Sequence, residues 1–101
     1  MMSGHNVDLT PDATRDVRDI TRVSERVWGE DQARIYLVSI YDAFERIGAF
    51  SEMGRYRDDI YRGLHSMKVG SHVIFYEIHP DRVLVIRAHH QRMDARSELA
   101  G

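Results

Sequence analysis

The 101-residue chain has no cysteine, one lysine and two prolines. Without cysteine there is no disulfide framework, no thiolate metal site and no cysteine nucleophile, which fits a reducing cytoplasm. No apolar run approaches the roughly 20 residues that a membrane span needs. The opening MMSGHNVDL has no apolar signal-peptide core, so a cytoplasmic protein is expected. No repeat, low-complexity tract or Pro/Gly/Ser-rich linker divides the chain. A single domain over 1–101 is therefore expected, with mobile ends at 1–5 and 97–101.

What is present is an ordinary globular composition, 43% hydrophobic and 30% charged, with a net charge of −2. That balance argues against nucleic-acid grip as the main task. Residues 1–50 carry six arginines against nine acids, and residues 51–101 carry eight basic residues against seven, so any cationic surface belongs to the second half. Thirteen of the fourteen bases are arginine, which suits bidentate ion pairs. A GC-rich genome would produce the same bias.

Alternation of Val7 and Leu9 with polar neighbours predicts a short first strand. Thr10 and Pro11 read as a helix N-cap and first-turn proline. Ala13, Val17, Ile20, Ser24 and Val27 then form one helical stripe, broken at Gly29. Ala33, Tyr36, Leu37, Ile40, Phe44 and Ile47 form a second stripe that ends near Gly48. The short joint predicts an antiparallel helical hairpin, with Trp28 filling core beside it. Residues 50–63 read as a loop. LHSMKVG, SHVIFYEIH and RVLVIRAHH are dense in β-branched and aromatic residues, and their short joints require an antiparallel meander.

The expected fold is α+β, in the order β-α-α-β-β-β. A helical hairpin packs on one face of a small, mainly antiparallel sheet, with the position of the first strand open. Strict alternation places Val73, Phe75 and Glu77 opposite His72, Ile74, Tyr76 and Ile78. It also places Val83, Val85 and Arg87 opposite Leu84, Ile86 and Ala88. Both faces are apolar. The face away from the helices either forms a second small core under the loop or awaits a partner, and a partner is the preferred expectation.

Four blocks then resemble the ParE toxins of the ParE/RelE toxin–antitoxin superfamily. They are LTPDATRDVRDI, WGEDQARIYLVSIYDAFERI, GRYRDDIYRGLHSMKVGSHVIFYEI and VLVIRAHHQRMD, which together lie within residues 6–99. The specific part is the joint pattern of Gly54-Arg55-x-Arg57, Gly63-Leu64, Val73-Ile74-Phe75-Tyr76 and His90-x-Arg92-Met93-Asp94. The resemblance implies a type II toxin that inhibits DNA gyrase by binding, encoded beside a ParD-like antitoxin and assembled with it as a heterotetramer or larger. It implies no cofactor, no membrane and no direct DNA binding by the chain alone. Antitoxin contacts are expected at Tyr36, Ile40, Phe75, Tyr76 and Val85. Target contacts are expected at His89, His90, Arg92, Met93 and Asp94.

RelE-like relatives cut messenger RNA on the ribosome, which keeps a nuclease alternative open. It needs a base, an acid and cations for the phosphate. His90, Arg87 and Arg62 are the leading candidates, with His65, His89 and Lys68 behind them. Strand alternation puts His89 and His90 on opposite faces, so they cannot serve one phosphate together. A third possibility is a non-toxic module that binds antitoxin and regulates its own operon. Other roles expected here are structural. Arg55 and Arg57 anchor the loop, one of them through Asp94. Met93 plugs the core, and Tyr76 packs with its hydroxyl exposed. His89, His90 and Asp94 lack metal-ligand spacing, so no metal is expected.

Overall fold

The computed structural model describes residues 6–99. Its elements are β1 (Asn6–Leu9), α1 (Pro11–Trp28), α2 (Glu30–Ala49), β2 (Arg55–Tyr56), β3 (Leu64–Val69), β4 (His72–Ile78), β5 (Arg82–His90) and α3 (Ala95–Leu99), with a 3-10 turn at Ser51–Met53. The five strands are ordered β1-β5-β4-β3-β2. The β2–β5 pairings are antiparallel, and β1 lies parallel to β5 at one edge. The expected helical hairpin and meander are both present. The loop at 50–63 is more ordered than its lack of periodicity suggested, because Arg55 and Tyr56 pair with Ser66 and His65 as an added edge strand. Residues 97–99, expected to be mobile, belong to α3. The remaining positions of those two expected mobile ends, 1–5 and 100–101, lie outside the described residues.

The first helix forms where its caps and apolar stripe require it. Thr10 Oγ1 accepts from the Ala13 amide at 3.0 Å, satisfying a first-turn donor, and Pro11 occupies a position whose N–H would have no helical partner. Gly29 ends the helix at φ +89°, a conformation that side chains with Cβ rarely adopt, and the chain turns there into α2. Ala13, Val17, Ile20 and Ser24 are buried, whereas Val27 at the end of the same stripe is exposed. Ile40, Ala43, Phe44 and Ile47 of α2 join them over Val69, Ile74, Tyr76, Val83, Val85 and Ala88 of the sheet. A fully buried Val, Ile or Phe is worth about 1.5–3 kcal/mol, so this layer is the main source of stability.

Strict alternation fails once, on β5. Phe75 pairs with Arg87 and Tyr76 with Val85, which leaves Ile86 as an extra residue, a β-bulge. Beyond it the facing of β5 reverses. Ala88 joins Val83 and Val85 under the helices, although alternation had set it with Leu84 and Ile86. The bulge region is held from α1 and its cap. The Thr10 amide donates to Val85 O at 3.0 Å, Thr10 Oγ1 donates to Ile86 O at 2.8 Å, and the Ala88 amide donates to Asp16 Oδ2 at 2.9 Å. These bonds replace ladder partners, since β1 ends opposite Val85.

The second sheet face carries its own small core. Ile60, Leu64 and Phe75 are buried together, with Tyr61, Val73, Ile86, Ala95 and Leu99 packed around them. The loop and α3 therefore cover the face for which a partner was expected.

Candidate functional site

Four of the five expected antitoxin contacts are unavailable as surface. Ile40, Phe75, Tyr76 and Val85 are buried in the two cores. Their apolar character made them resemble an interface, but intramolecular packing uses it. Tyr36 alone keeps a half-buried position. Its hydroxyl donates to Val69 O at 3.1 Å, accepts from the Ser71 amide at 3.2 Å and lies 2.6 Å from His72 Nδ1. Tyr76 is also no half-exposed phenol. Its hydroxyl is buried and donates to Ser51 O at 2.8 Å, close against Gly54.

Exposed apolar side chains lie elsewhere, on both helices: Ile35, Val38 and Tyr41 on α2 and a second set on α1. Val23, Val27 and Trp28 on the outer side of α1 line a groove of about 530 Å³ whose far wall includes His72, Ala88, His90 and Met93. Trp28, expected in the core, is 55% exposed and touches Tyr36 edge-on at 6.0 Å between ring centroids. The reason is position: it is the last residue of α1, beyond the part of the helix that lies over the sheet. Sequence spacing could have flagged Val23, which falls outside the buried stripe. Val27 gave no such sign.

The two histidines do face apart, as strand geometry required. His89 is 2% exposed beside Phe75, with ring centroids 5.6 Å apart, and neither ring nitrogen has a protein partner. It is therefore not a target-facing residue as the chain is folded. His90 is half-buried at the groove, across the ladder from His72 with rings 5.3 Å apart, and its Nδ1 accepts from the Arg92 amide at 3.2 Å. Burial pushes His72 below the ordinary imidazole value, and the neighbouring His90 adds to that shift. Burial likewise lowers His89, reinforced by Arg87 and opposed by Asp16 and Glu98.

Arg92, Met93 and Asp94 are exposed, so Met93 is not the core plug expected of it. Nor does Asp94 pair with Arg55 or Arg57. It starts α3, where its carboxylate accepts from the Arg96 amide at 3.1 Å and from Ser97 Oγ at 2.7 Å. Those hydrogen bonds hold the carboxyl below its usual range, the Ser97 hydroxyl most of all. The loop anchor exists with the charges exchanged. Arg57 grips Asp59 in a bidentate pair at 3.0 and 3.1 Å, and Arg96 of α3 reaches the same carboxylate at 3.5 Å. The hydrogen bond from Arg57 is the main reason the Asp59 pKa is lowered to about 2. Arg57 also lies over the Phe75 ring at 5.5 Å. Arg55 is exposed and forms no ion pair among the described residues.

The groups proposed for RNA cleavage are only partly brought together: Arg87 and His90 both line the groove beside α1, and Arg62 does not. Arg87 is committed to Asp16, with Nε and Nη2 donating at 2.7 and 3.1 Å, and Asp16 holds its guanidinium more strongly basic still. Arg62 precedes Leu64, which pairs with Glu77, whereas His90 pairs with His72. Five residues of β4 separate those levels, roughly 17 Å at strand rise. His65 is buried between Tyr56 and Tyr76, and Lys68 is exposed on β3. No group of three or more potential metal-ligating side chains occurs among the described residues. One acid–base constellation does assemble that no spacing announced: Tyr61 donates to Glu77 Oε2 at 2.5 Å, and His79 Nε2 lies 2.9 Å from Glu77 Oε1. Burial raises the Tyr61 pKa, and Glu77 raises it further. Both Glu77 oxygens are already engaged, so this set is a tied cluster without a free base.

No helix of the described residues is long and apolar enough to cross a membrane. A sequence model described as the ParE toxin of the type II toxin–antitoxin system parDE matches residues 7–95. Toxin ParE1 of Mycobacterium tuberculosis is 35% identical over 92 residues, covering 90% of this chain and 94% of that protein. Among solved structures, the chromosomal ParDE toxin–antitoxin system from P. aeruginosa superposes with a TM-score of 0.75 at 12% identity, over 87% of this chain and 97% of that one. The toxin–antitoxin complex RelBE2 from Mycobacterium tuberculosis superposes at 0.66 with 21% identity, over 86% of this chain and 98% of that one. The two structures share the fold, and the sequence matches fix the lineage: the chain belongs to the ParE toxin family of type II toxin–antitoxin systems.

Proposed function

We propose that this toxin acts in the cytoplasm by binding DNA gyrase and stabilising its cleaved-DNA state, without covalent chemistry of its own. The observation that carries the reading is the family match along residues 7–95. The engagement of Arg87 by Asp16 and the distance of Arg62 from His90 support it from the other side, since a nuclease needs a free phosphate cation within reach of its acid and base. A poison of this kind requires only a differential affinity for two states of its target. The exposed Arg92, Met93 and Asp94, with half-buried His90 at their root, are its target-facing residues.

Neutralisation falls to a ParD-like antitoxin, in a heterotetramer or larger assembly. Its apolar segment is assigned to the groove lined by Val23, Val27 and Trp28, with Tyr36 beside it, because these are apolar side chains left uncovered. The test is induction of the chain alone in a host with wild-type or poison-resistant gyrase. Double-strand breaks that depend on gyrase, with transcripts intact, are the expected result. Ribosome-dependent transcript cleavage would establish the nuclease instead, and growth without either effect would leave an antitoxin-binding module.

A further inference from the structure

The C-terminal segment is fastened to the sheet almost entirely by side chains. At its root the Gln91 amide donates to Ser71 O at 2.8 Å. Beyond that, the backbone bonds of the described residues stay local: Met93 N to His90 O at 2.9 Å and Glu98 N to Asp94 O at 3.3 Å. Two ion pairs tie the segment down, Arg96 to Asp59 and Glu98 to Arg87, each at 3.5 Å and each with at least one largely solvent-exposed partner. Exposed pairs of this kind contribute about 0–1 kcal/mol. Ala95 and Leu99 add partial apolar contacts to the Phe75 core. An element held this way belongs to the low-stability end of a fold.

Beneath it sits a group that favours opening. Val73, Phe75 and His89 on the sheet and Met93, Asp94 and Ala95 on the segment line a half-open cleft of about 400 Å³. His89 is nine-tenths buried, and neither of its nitrogens has a protein partner. An imidazole can hydrogen-bond at both nitrogens, so this burial carries a desolvation cost that exposure relieves.

We propose that residues 91–99 form a strap that lifts from the sheet when His89 takes up a proton, uncovering the Phe75 face. The charges around His89 divide. Arg87 on its own strand and Arg57 above Phe75 oppose the proton. Asp16 on α1, Glu98 and Asp94 on the strap, and Asp59 on the loop favour it. Arg96 on the strap opposes it from the exposed side, and His90, the next residue along, faces the other way. Burial outweighs the acids in the closed form and makes the ring harder to protonate there than in water. In the open form the ring meets water and titrates near 6.5. The open strap therefore binds more protons, and closure weakens as the pH falls below that value. Between pH 7.5 and 5.5 the opening equilibrium rises by up to about tenfold.

The experiment is hydrogen exchange by NMR on the full chain, expressed as protection factors for the Glu98 and Leu99 amides at pH 7.5 and 5.5. Contacts from the Leu99 methyls to the Phe75 core are followed in parallel. The protection factors should fall by up to about tenfold at the lower pH, whereas the contacts fall only by the fraction of molecules that opens. His89→Phe fills the site without a titrating group and should remove the pH dependence, and His89→Gln serves if that variant does not fold. Asp59→Asn should loosen the strap equally at both pH values. Protection that is unchanged between the two pH values overturns the proposal, as does the same pH dependence in both histidine variants.

Discussion

Asp16 holds three donors from β5 at once: Nε and Nη2 of Arg87 and the Ala88 amide beyond the bulge. The carboxylate and guanidinium are 14% and 19% exposed, so water cannot replace all of these bonds. Replacing Asp16 with alanine leaves a partly buried charge and an amide beside a bulge without their acceptor. A hydrogen bond to a charged group is worth about 1.5–3 kcal/mol, and breaking a fully buried pair costs about 3–5 kcal/mol. Discounted for the remaining exposure, Asp16→Ala should destabilise the fold by roughly 2–3 kcal/mol. With a urea slope of about 1.5 kcal/mol per molar, the midpoint falls by roughly 1.3–2 M. A double-mutant cycle with Arg87→Met separates the pair from the amide, and the coupling between the two positions should be at least about 1 kcal/mol. The assay is equilibrium urea unfolding followed by far-ultraviolet circular dichroism. A loss below about 0.5 kcal/mol for Asp16→Ala, or strictly additive effects, would refute a structural role for Arg87 and reopen its use as a phosphate contact.

Trp28→Ala should change stability by only about 0.5 kcal/mol, because the ring is half in water. It should still weaken capture of the antitoxin by tenfold or more, as measured by isothermal titration. Tyr76→Phe removes the bond to Ser51 O and leaves that carbonyl unpaired, costing about 1–2 kcal/mol in thermal or urea unfolding. Gly54→Ala would drive a methyl into the Tyr76 hydroxyl and within 2.9 Å of Ser66 O, so it should cost about 2 kcal/mol or more in the same assay. Deleting residues 92–101 should abolish growth arrest, and a truncated chain that is still fully toxic would move the target surface elsewhere.

The fold was legible wherever one local rule acted alone. Thr10-Pro11 announced the first helix, Gly29 the hairpin joint, and the β-branched runs the meander. What sequence alone did not locate came from long-range compensation. The bulge at Ile86 is unreadable along the strand because its stabilising partners, Thr10 and Asp16, lie more than 70 residues away. The same event moves Ala88 to the helix side, so a correct period yields a wrong face. The family was legible from the pattern of Gly54, Arg55, Arg57 and the His90 to Asp94 block. The antitoxin contacts were not, because apolar character marks core and interface alike. Phe75 looked like an open surface only until the loop and α3 were known to cover it, and Tyr76 lies in the core under the helices. The exchange between Asp94 and Asp59 has a similar origin: an acid near a helix start prefers its own amides to a distant arginine.

The central claim is that toxicity comes from binding to gyrase and not from cutting RNA. Purified toxin mixed with gyrase, ATP and supercoiled plasmid tests it most directly, with linear DNA measured after detergent and protease treatment. Linear product should accumulate with toxin concentration, disappear on addition of antitoxin, and fall sharply for the variant lacking residues 92–101. No linear DNA at any toxin concentration, together with transcript cleavage by the same preparation on translating ribosomes, would contradict the account.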